Sequence, residues 1–164
     1  MPVKQIVFAL VTFLHDLFTA VWIGGLITLG ITVLPSAKKV LGMGPQTKRL
    51  MDTIQKRLSV LVYVSIVGLL LTGLLQANRN PAFQGLFSFG NPYSTVLTIK
   101  HILVLAMIAV ALYRSLVLGR RSGPSSPAQE RIKAGLLFLN VVLGIAVLLL
   151  SGFSAALSSG PPPA

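Results

Sequence analysis

The chain has 164 residues, of which 54% are hydrophobic and only 10% are charged, and its mean hydropathy is +0.83. This composition is far from that of a soluble domain and is typical of an integral membrane protein. The chain contains no cysteine, which excludes disulfides and thiolate-bound metal or iron–sulfur sites within it.

The formal net charge of +11 raises the question of a nucleic-acid partner. All but three of the 14 Lys and Arg residues lie in or beside the predicted first and third loops, the exceptions being Lys4, Arg79 and Lys100. By the positive-inside rule these two loops are cytoplasmic, so both termini are extracytoplasmic in a multi-pass protein of the cell membrane. Membrane topology therefore explains the charge; the predicted partner is the lipid bilayer, with no nucleic acid.

Four apolar stretches, each long enough for the roughly 20 residues that cross a bilayer as helix, set the expected fold. They predict an all-α integral membrane protein, an antiparallel four-helix bundle forming a single domain over residues 1–164, with helices at about 3–34, 58–77, 94–118 and 129–157. The first helix is expected to end at Pro35, which cannot donate to a continuing helix. Ser94 is the expected N-cap of the third helix.

The connecting segments carry their own signals. Gly-Met-Gly-Pro at residues 42–45 predicts a turn, followed by a short helical extension before the second helix. The aromatic loop at 78–93 suits the membrane interface and is expected to fold over the outer end of the bundle. Residues 119–131 are predicted to be a flexible connector, and the final SSGPPPA a short extended tail.

His15 and His101 are the only two histidines, and both lie in stretches predicted to span the membrane. Ionisable residues inside a bilayer usually mark a site, and neutral imidazole is the commonest metal ligand among side chains. At 1.5 Å per residue, His15 lies about 15 Å and His101 roughly 10 Å below the outer ends of their helices. Helices one and three would face each other on a diagonal of roughly 11–14 Å, enough for a flat macrocycle. We therefore predict a haem b whose iron is ligated by both histidines.

Neighbouring residues complete this predicted site. Trp22 and Gly25 lie on or near the His15 side of the first helix and would shape a flat apolar slot. Lys100 and Arg79, near the outer face, could meet haem propionates. Asp16 is a deep carboxylate that needs a partner: it could pair with Lys100, hydrogen-bond a histidine N–H beside the metal, or carry protons.

Structural roles compete with these assignments. A histidine in a membrane helix often hydrogen-bonds a neighbouring helix. Trp22 is also explained by ordinary packing, and Lys100 by extension of its charge to the membrane surface. Asn140 is expected to make a polar contact between helices, and Gly68 and Gly73 to allow close helix packing.

The segment HDLFTAVWIGGL, at residues 15–26, resembles the H-x6-W-x-G-G signature of the copper-resistance D (CopD) domain family. LLLTGLL at 69–75 and NPYSTVLTIKHILVL at 91–105 resemble that family's TG…YG…L-x-x-K passage, although Ser94 replaces the usual Gly. The resemblance covers nearly all the chain, as a stand-alone four-helix version of the domain. The related HemJ-type protoporphyrinogen oxidases bind haem and share a first-helix His and a third-helix Lys, which map onto His15 and Lys100. His101 has no counterpart there.

Three functions follow as hypotheses, and the sequence does not decide whether the protein is an enzyme. A haem with two His ligands has no open iron position, so it suits an electron carrier between membrane quinol and an extracytoplasmic redox partner. The resemblance implies a HemJ-like oxidase, using haem and a quinone, as the alternative. Copper uptake or resistance is the second alternative, but copper(I) prefers sulfur ligands, and the chain has no Cys and only four scattered Met. Assembly into a homo-oligomer is left open.

The predicted topology can be tested by cysteine labelling, because the chain has no cysteine of its own. A cysteine placed at Ser125 should react only from the cytoplasm, and one placed at Ser159 only from outside, since the basic loops are expected inside. Labelling of Ser159→Cys only from the cytoplasm would contradict the predicted orientation.

Overall fold

The structure is a computed structural model that describes residues 2–118 and 126–159. Within these ranges there is no strand, and four helices are long and apolar enough to cross a membrane. They are α1 (Val3–Leu41), α2 (Pro45–Ala77), α3 (Pro92–Leu112, continuing into a π-helical turn at Tyr113–Leu118) and α4 (Pro127–Ser159). The prediction of an all-α membrane protein is confirmed. Most of the predicted connector, at 119–125, and most of the tail, at 160–164, lie outside the described residues.

The first helix does not end at Pro35, as the sequence predicted, but continues to Leu41. Two π-helical turns, Ala20–Gly24 and Thr28–Val33, interrupt α1, and Pro35 lies in the first turn of the α-helical segment that follows the second of them. A proline is tolerated there because the N–H groups of a first turn need no partner within their own α-helical segment. The helix stops instead at Gly42, whose φ of 70° lies in the left-handed region that favours glycine.

Two other helix starts also differ from the prediction. The expected short extension before the second helix is continuous with it, so that α2 begins at Pro45 rather than near residue 58. The N-cap of α3 is Asn91 and not Ser94, because the Asn91 side chain accepts a 2.7 Å hydrogen bond from the Ser94 N–H. Pro92 then occupies the first helical position, where its missing N–H costs nothing.

The most extensive contacts between helices are those of α1 with α2 and of α3 with α4, and α1 also packs on α4. Along α1 and α2, Phe18 lies against Gly68, whereas Gly25 further along α1 lies against Leu58 earlier in α2. The chain therefore runs in opposite directions along α1 and α2 at this contact. The buried core lies at mid-height and contains Trp22, Ile23, Leu26, Leu29, Val62, Ile66, Met107, Leu137 and Val141.

Most apolar side chains of the helices point outward rather than into the core. In the most apolar window of each helix, only 11% to 28% of the residues are buried inside the protein. Exposed leucines, valines and isoleucines on this scale far exceed what a soluble monomer presents to water. Such a surface is suited to contact with lipid chains, so the protein is a multi-pass membrane protein.

The aromatic loop is anchored to the start of α3. Asn91 donates its amide to the Ala82 carbonyl at 2.7 Å, and Ser94 donates its hydroxyl to the same carbonyl at 3.1 Å. Thr98 accepts from the Ser88 N–H at 3.0 Å and donates to the Ser88 carbonyl at 2.9 Å. Ser94 and Thr98 are buried, so these bonds fix the loop beside the start of α3.

Gly68 permits the close approach of α1 and α2, which confirms its predicted packing role. A Cβ at this position would collide with the ring of Phe18. We expect Gly68→Ala to destabilise the protein by about 1–3 kcal/mol, the usual cost of overpacking, seen as a lower unfolding temperature in detergent. Gly152→Ala is the matched control, since its Cβ would meet nothing within 4 Å. Equal stability of the two variants would contradict the close packing at Gly68.

Candidate functional site

A cavity of about 770 Å³ lies at the end of the bundle that holds the aromatic loop. We call it the His15 cavity. All four helices contribute to its wall, and many of its side chains are polar or charged. Its lining comprises Phe8, Thr12, His15, Asp16, Thr19, Ala20, Ile23, Gly24, Ile27, Gln76, Arg79, Asn80, Tyr93, Lys100, Leu148, Ser151, Ser154, Ala155 and Ser158.

The contact between His15 and Thr72 bears on which ring nitrogen of His15 carries the proton. Nδ1 of His15 lies 2.9 Å from Oγ1 of the buried Thr72. Thr72 has a single hydroxyl proton, and its Oγ1 also lies 2.7 Å from the Gly68 carbonyl, which can only accept. With that proton donated to Gly68, Thr72 accepts from Nδ1 of His15, and Nε2 presents a lone pair. This is the arrangement in which a histidine binds a metal through Nε2 while the other nitrogen is held by a hydrogen bond.

Gly73 lies beside this ring. A Cβ at Gly73 would lie 3.4 Å from Cε1 of His15, in van der Waals contact with it. His15 is thus set against α2 by the Thr72 hydroxyl on one side and by the bare backbone of Gly73 on another. A ring fixed in this way loses little conformational entropy when a ligand binds.

Asp16 and Lys100 bring opposite charges to the same cavity. They attract each other electrostatically, but they form no ion pair within 4.0 Å among the residues the structure describes. Arg79 lines the cavity just after α2, with its guanidinium 3.9 Å from the centre of the Phe8 ring, a cation–π contact. The wall therefore presents two cations and one carboxylate besides the imidazole.

The structure brings together four of the predicted site residues, His15, Asp16, Lys100 and Arg79, and leaves three apart. His101 does not line the cavity; its Nδ1 donates to the Leu97 carbonyl of its own helix at 2.7 Å. Trp22 is buried in the core and faces a different cavity.

The third of these residues, Gly25, packs against Leu58: a Cβ built on Gly25 would lie 2.9 Å from the Leu58 side chain. Gly25 therefore forms no open slot beside His15. Asp16 does not hold a histidine N–H, because Thr72 and the Leu97 carbonyl occupy the Nδ1 atoms of the two histidines.

Several lining residues were not found from the sequence. Gln76 lines the cavity, and its Nε2 is buried without a partner among the described residues. Ser151, Ser154 and Ser158 line it from α4, where their spacing places them on one helical face. That spacing of hydroxyl groups in an otherwise apolar helix was the available signal.

The donor set limits which metals the cavity could hold alone. Among residues 2–118 and 126–159 no group of three or more His, Cys, Asp or Glu side chains comes together. His15 and Asp16 offer one nitrogen and one carboxylate, while Lys100 and Arg79 oppose a bare cation. The same two cations suit a larger ligand that carries its own acid groups.

Comparison with known proteins identifies the family. The model of the family described as CopD, copper resistance protein D, matches residues 52–154, more than half of the chain. The chain therefore belongs to the CopD family. The matched segment includes Lys100 and His101, whereas His15 precedes it. No curated protein and no solved structure matches the chain.

The tautomer of His15 can be checked directly. In ¹⁵N-histidine spectra of the His101→Ala variant, His15 should show protonated Nδ1 and unprotonated Nε2, because Thr72 is expected to donate its own proton to the Gly68 carbonyl. Thr72→Val should abolish this preference and Thr72→Ser should retain it.

Thr19→Val is the matched control for this test, since the Thr19 hydroxyl bonds only the His15 backbone carbonyl at 2.8 Å. A spectrum of His15 that stays the same in Thr72→Val would contradict the role assigned to Thr72.

Proposed function

We propose that this protein is a membrane redox protein of the CopD family that binds haem b in the His15 cavity, where Nε2 of His15 would hold the iron. The observation that carries the proposal is the hydrogen bond from His15 to Thr72, which leaves the Nε2 lone pair of a cavity-lining histidine for a metal. Bound there, haem would supply one-electron chemistry.

The size and charge of the cavity support a group larger than an ion. Its volume of about 770 Å³ lies within the usual range of cofactor sites, about 300–1,000 Å³. Lys100 and Arg79 would hold the acid groups of the cofactor, and Phe8 would keep the Arg79 guanidinium in place. Asp16 would offset part of the positive charge of Lys100. Thr72 and Gly73 would fix the ring of the ligand histidine.

The role we propose is electron transfer between membrane quinol and an extracytoplasmic redox partner. The cavity lies at the end of the bundle away from the basic loops. Because the positive-inside rule puts the basic loops in the cytoplasm, this end of the bundle would be extracytoplasmic. Quinol could approach through the bilayer that covers the apolar helix faces. Both termini would then also be extracytoplasmic.

One observation favours a HemJ-like oxidase as the alternative. Lys100 lines the cavity with His15, whereas His101 does not. His15 is the one histidine among the residues that line the cavity, so a haem held there would leave the iron accessible to a substrate. Restored haem synthesis in cells lacking their protoporphyrinogen oxidase, lost in Lys100→Ala and kept in His101→Ala, would favour the oxidase over the carrier.

Copper is the other candidate, and the family match favours it. Nε2 of His15 and the carboxylate of Asp16 are nitrogen and oxygen ligands suited to copper(II). Copper would be cargo held by few ligands, since the described residues offer no third His, Cys, Asp or Glu beside them. The charges of Lys100 and Arg79 weaken such a site.

Pigment and metal analysis of the purified protein separates haem from copper. We expect a b-type haem spectrum with iron in equal amount to protein. His15→Ala should lose the haem because it removes the axial ligand, and His101→Ala should keep it because that ring lies away from the cavity. Lys100→Met should weaken haem retention without abolishing it.

The matched control is Thr95→Ala, which removes a hydroxyl of α3 that bonds only its own helix. A colourless protein that contains copper, and cannot be reconstituted with haemin, would contradict haem binding and support the copper function. Loss of haem in His101→Ala but not in His15→Ala would place the cofactor elsewhere.

A further inference from the structure

A second cavity, of about 680 Å³, lies at the opposite end of the bundle, where the basic residues cluster. We call it the Trp22 cavity. It lies between the first part of α2, the end of α3, the beginning of α4 and the Trp22–Leu29 face of α1. Its lining comprises Trp22, Leu26, Leu29, Lys48, Asp52, Gln55, Lys56, Leu58, Ser59, Val60, Val62, Tyr63, Ala111, Arg114, Ser115, Lys133 and Asn140.

Two buried polar side chains line this cavity without a partner. Trp22 is 1% exposed and Asn140 is 0% exposed. The indole Nε1 of Trp22 and both polar atoms of the Asn140 amide form no hydrogen bond with the described residues. The predicted polar contact of Asn140 with another helix is therefore absent. A buried polar group left unpaired is unfavourable, so such a cluster indicates that something else occupies its hydrogen-bonding positions.

The charge of the lining indicates the sign of that occupant. Four cationic side chains and one carboxylate, that of Asp52, face the cavity. Lys133 is paired with Glu130 at 3.5 Å. Arg114 is half-buried in the π-helical turn after α3 and forms no ion pair with any residue the structure describes. A guanidinium in this position is suited to bidentate binding of an oxyanion.

We propose that the Trp22 cavity binds a phosphate group, held by Arg114 and Lys56 at its wall and by Trp22 and Asn140 at its buried side. Trp22 can only donate, and the Asn140 amide can both donate and accept, so a partly protonated phosphate satisfies both. The apolar lining by Leu26, Leu29 and Val62 would accommodate an organic body attached to the phosphate. This site is separate from the His15 cavity and does not rest on the function proposed for it.

Trp22 is the only tryptophan of the chain, so its emission reports on this cavity alone. We propose titrating the protein, in a maltoside detergent free of phosphate, with inorganic phosphate and separately with a short-chain phosphatidylglycerol. A saturable change in emission is expected with at least one probe and not with sodium chloride at the same ionic strength. A response to inorganic phosphate indicates a soluble ligand, and a response to the lipid alone indicates a headgroup.

Arg114→Gln should weaken binding at least tenfold, as expected when a charge-assisted contact of about 1.4 kcal/mol or more is lost. Lys56→Gln, at an exposed position, should weaken it several-fold and keeps the test decisive if Arg114→Gln does not fold. Arg131→Gln is the matched control, because Arg131 is exposed near the same end and lines neither cavity. Absence of a saturable change with both probes, or unchanged affinity in both Arg114→Gln and Lys56→Gln, would overturn the proposal.

Discussion

The hydrocarbon core of a bilayer contains no water, so each polar side chain within it needs a partner in the protein or a polar cavity. The bond between His15 and Thr72 shows how this constraint shapes the site. Thr72 donates a hydrogen bond to the Gly68 carbonyl and accepts one from the imidazole, and Gly73 lies beside the ring. One requirement for hydrogen bonding thus fixes where the histidine lies and which of its nitrogens is left for a ligand.

The same constraint separates the polar residues of the bundle into two cavities that share one segment of α1. Ile23, Gly24 and Ile27 face the His15 cavity, whereas Trp22 and Leu26 face the other. This segment includes the first π-helical turn, Ala20–Gly24, and π-helical turns often occur at functional sites. The buried core at mid-height lies between the two polar ends. The residues that line each cavity differ, and so do the proposed ligands: a cofactor at His15 and a phosphate group at Arg114.

The sequence predicted the four membrane helices because hydropathy and length alone determine them, and it placed His15 and His101 at similar depths. Height follows from the rise per residue, but the direction in which a side chain points follows from the rotation of its helix, which packing decides. Adjacent residues project about 100° apart, which is why Lys100 reaches the cavity and His101 does not. The extension of α1 past Pro35 depends on π-helical turns, for which no sequence signal was available.

Location of the metal by anomalous X-ray scattering tests the central claim most directly. Data collected at the iron and copper absorption edges from crystals of the protein as purified would give the element and its position together. We predict an iron peak within bonding distance of Nε2 of His15, with the acid groups of the haem near Lys100 and Arg79. An iron or copper peak at His101, with none at His15, would contradict the assignment of the site.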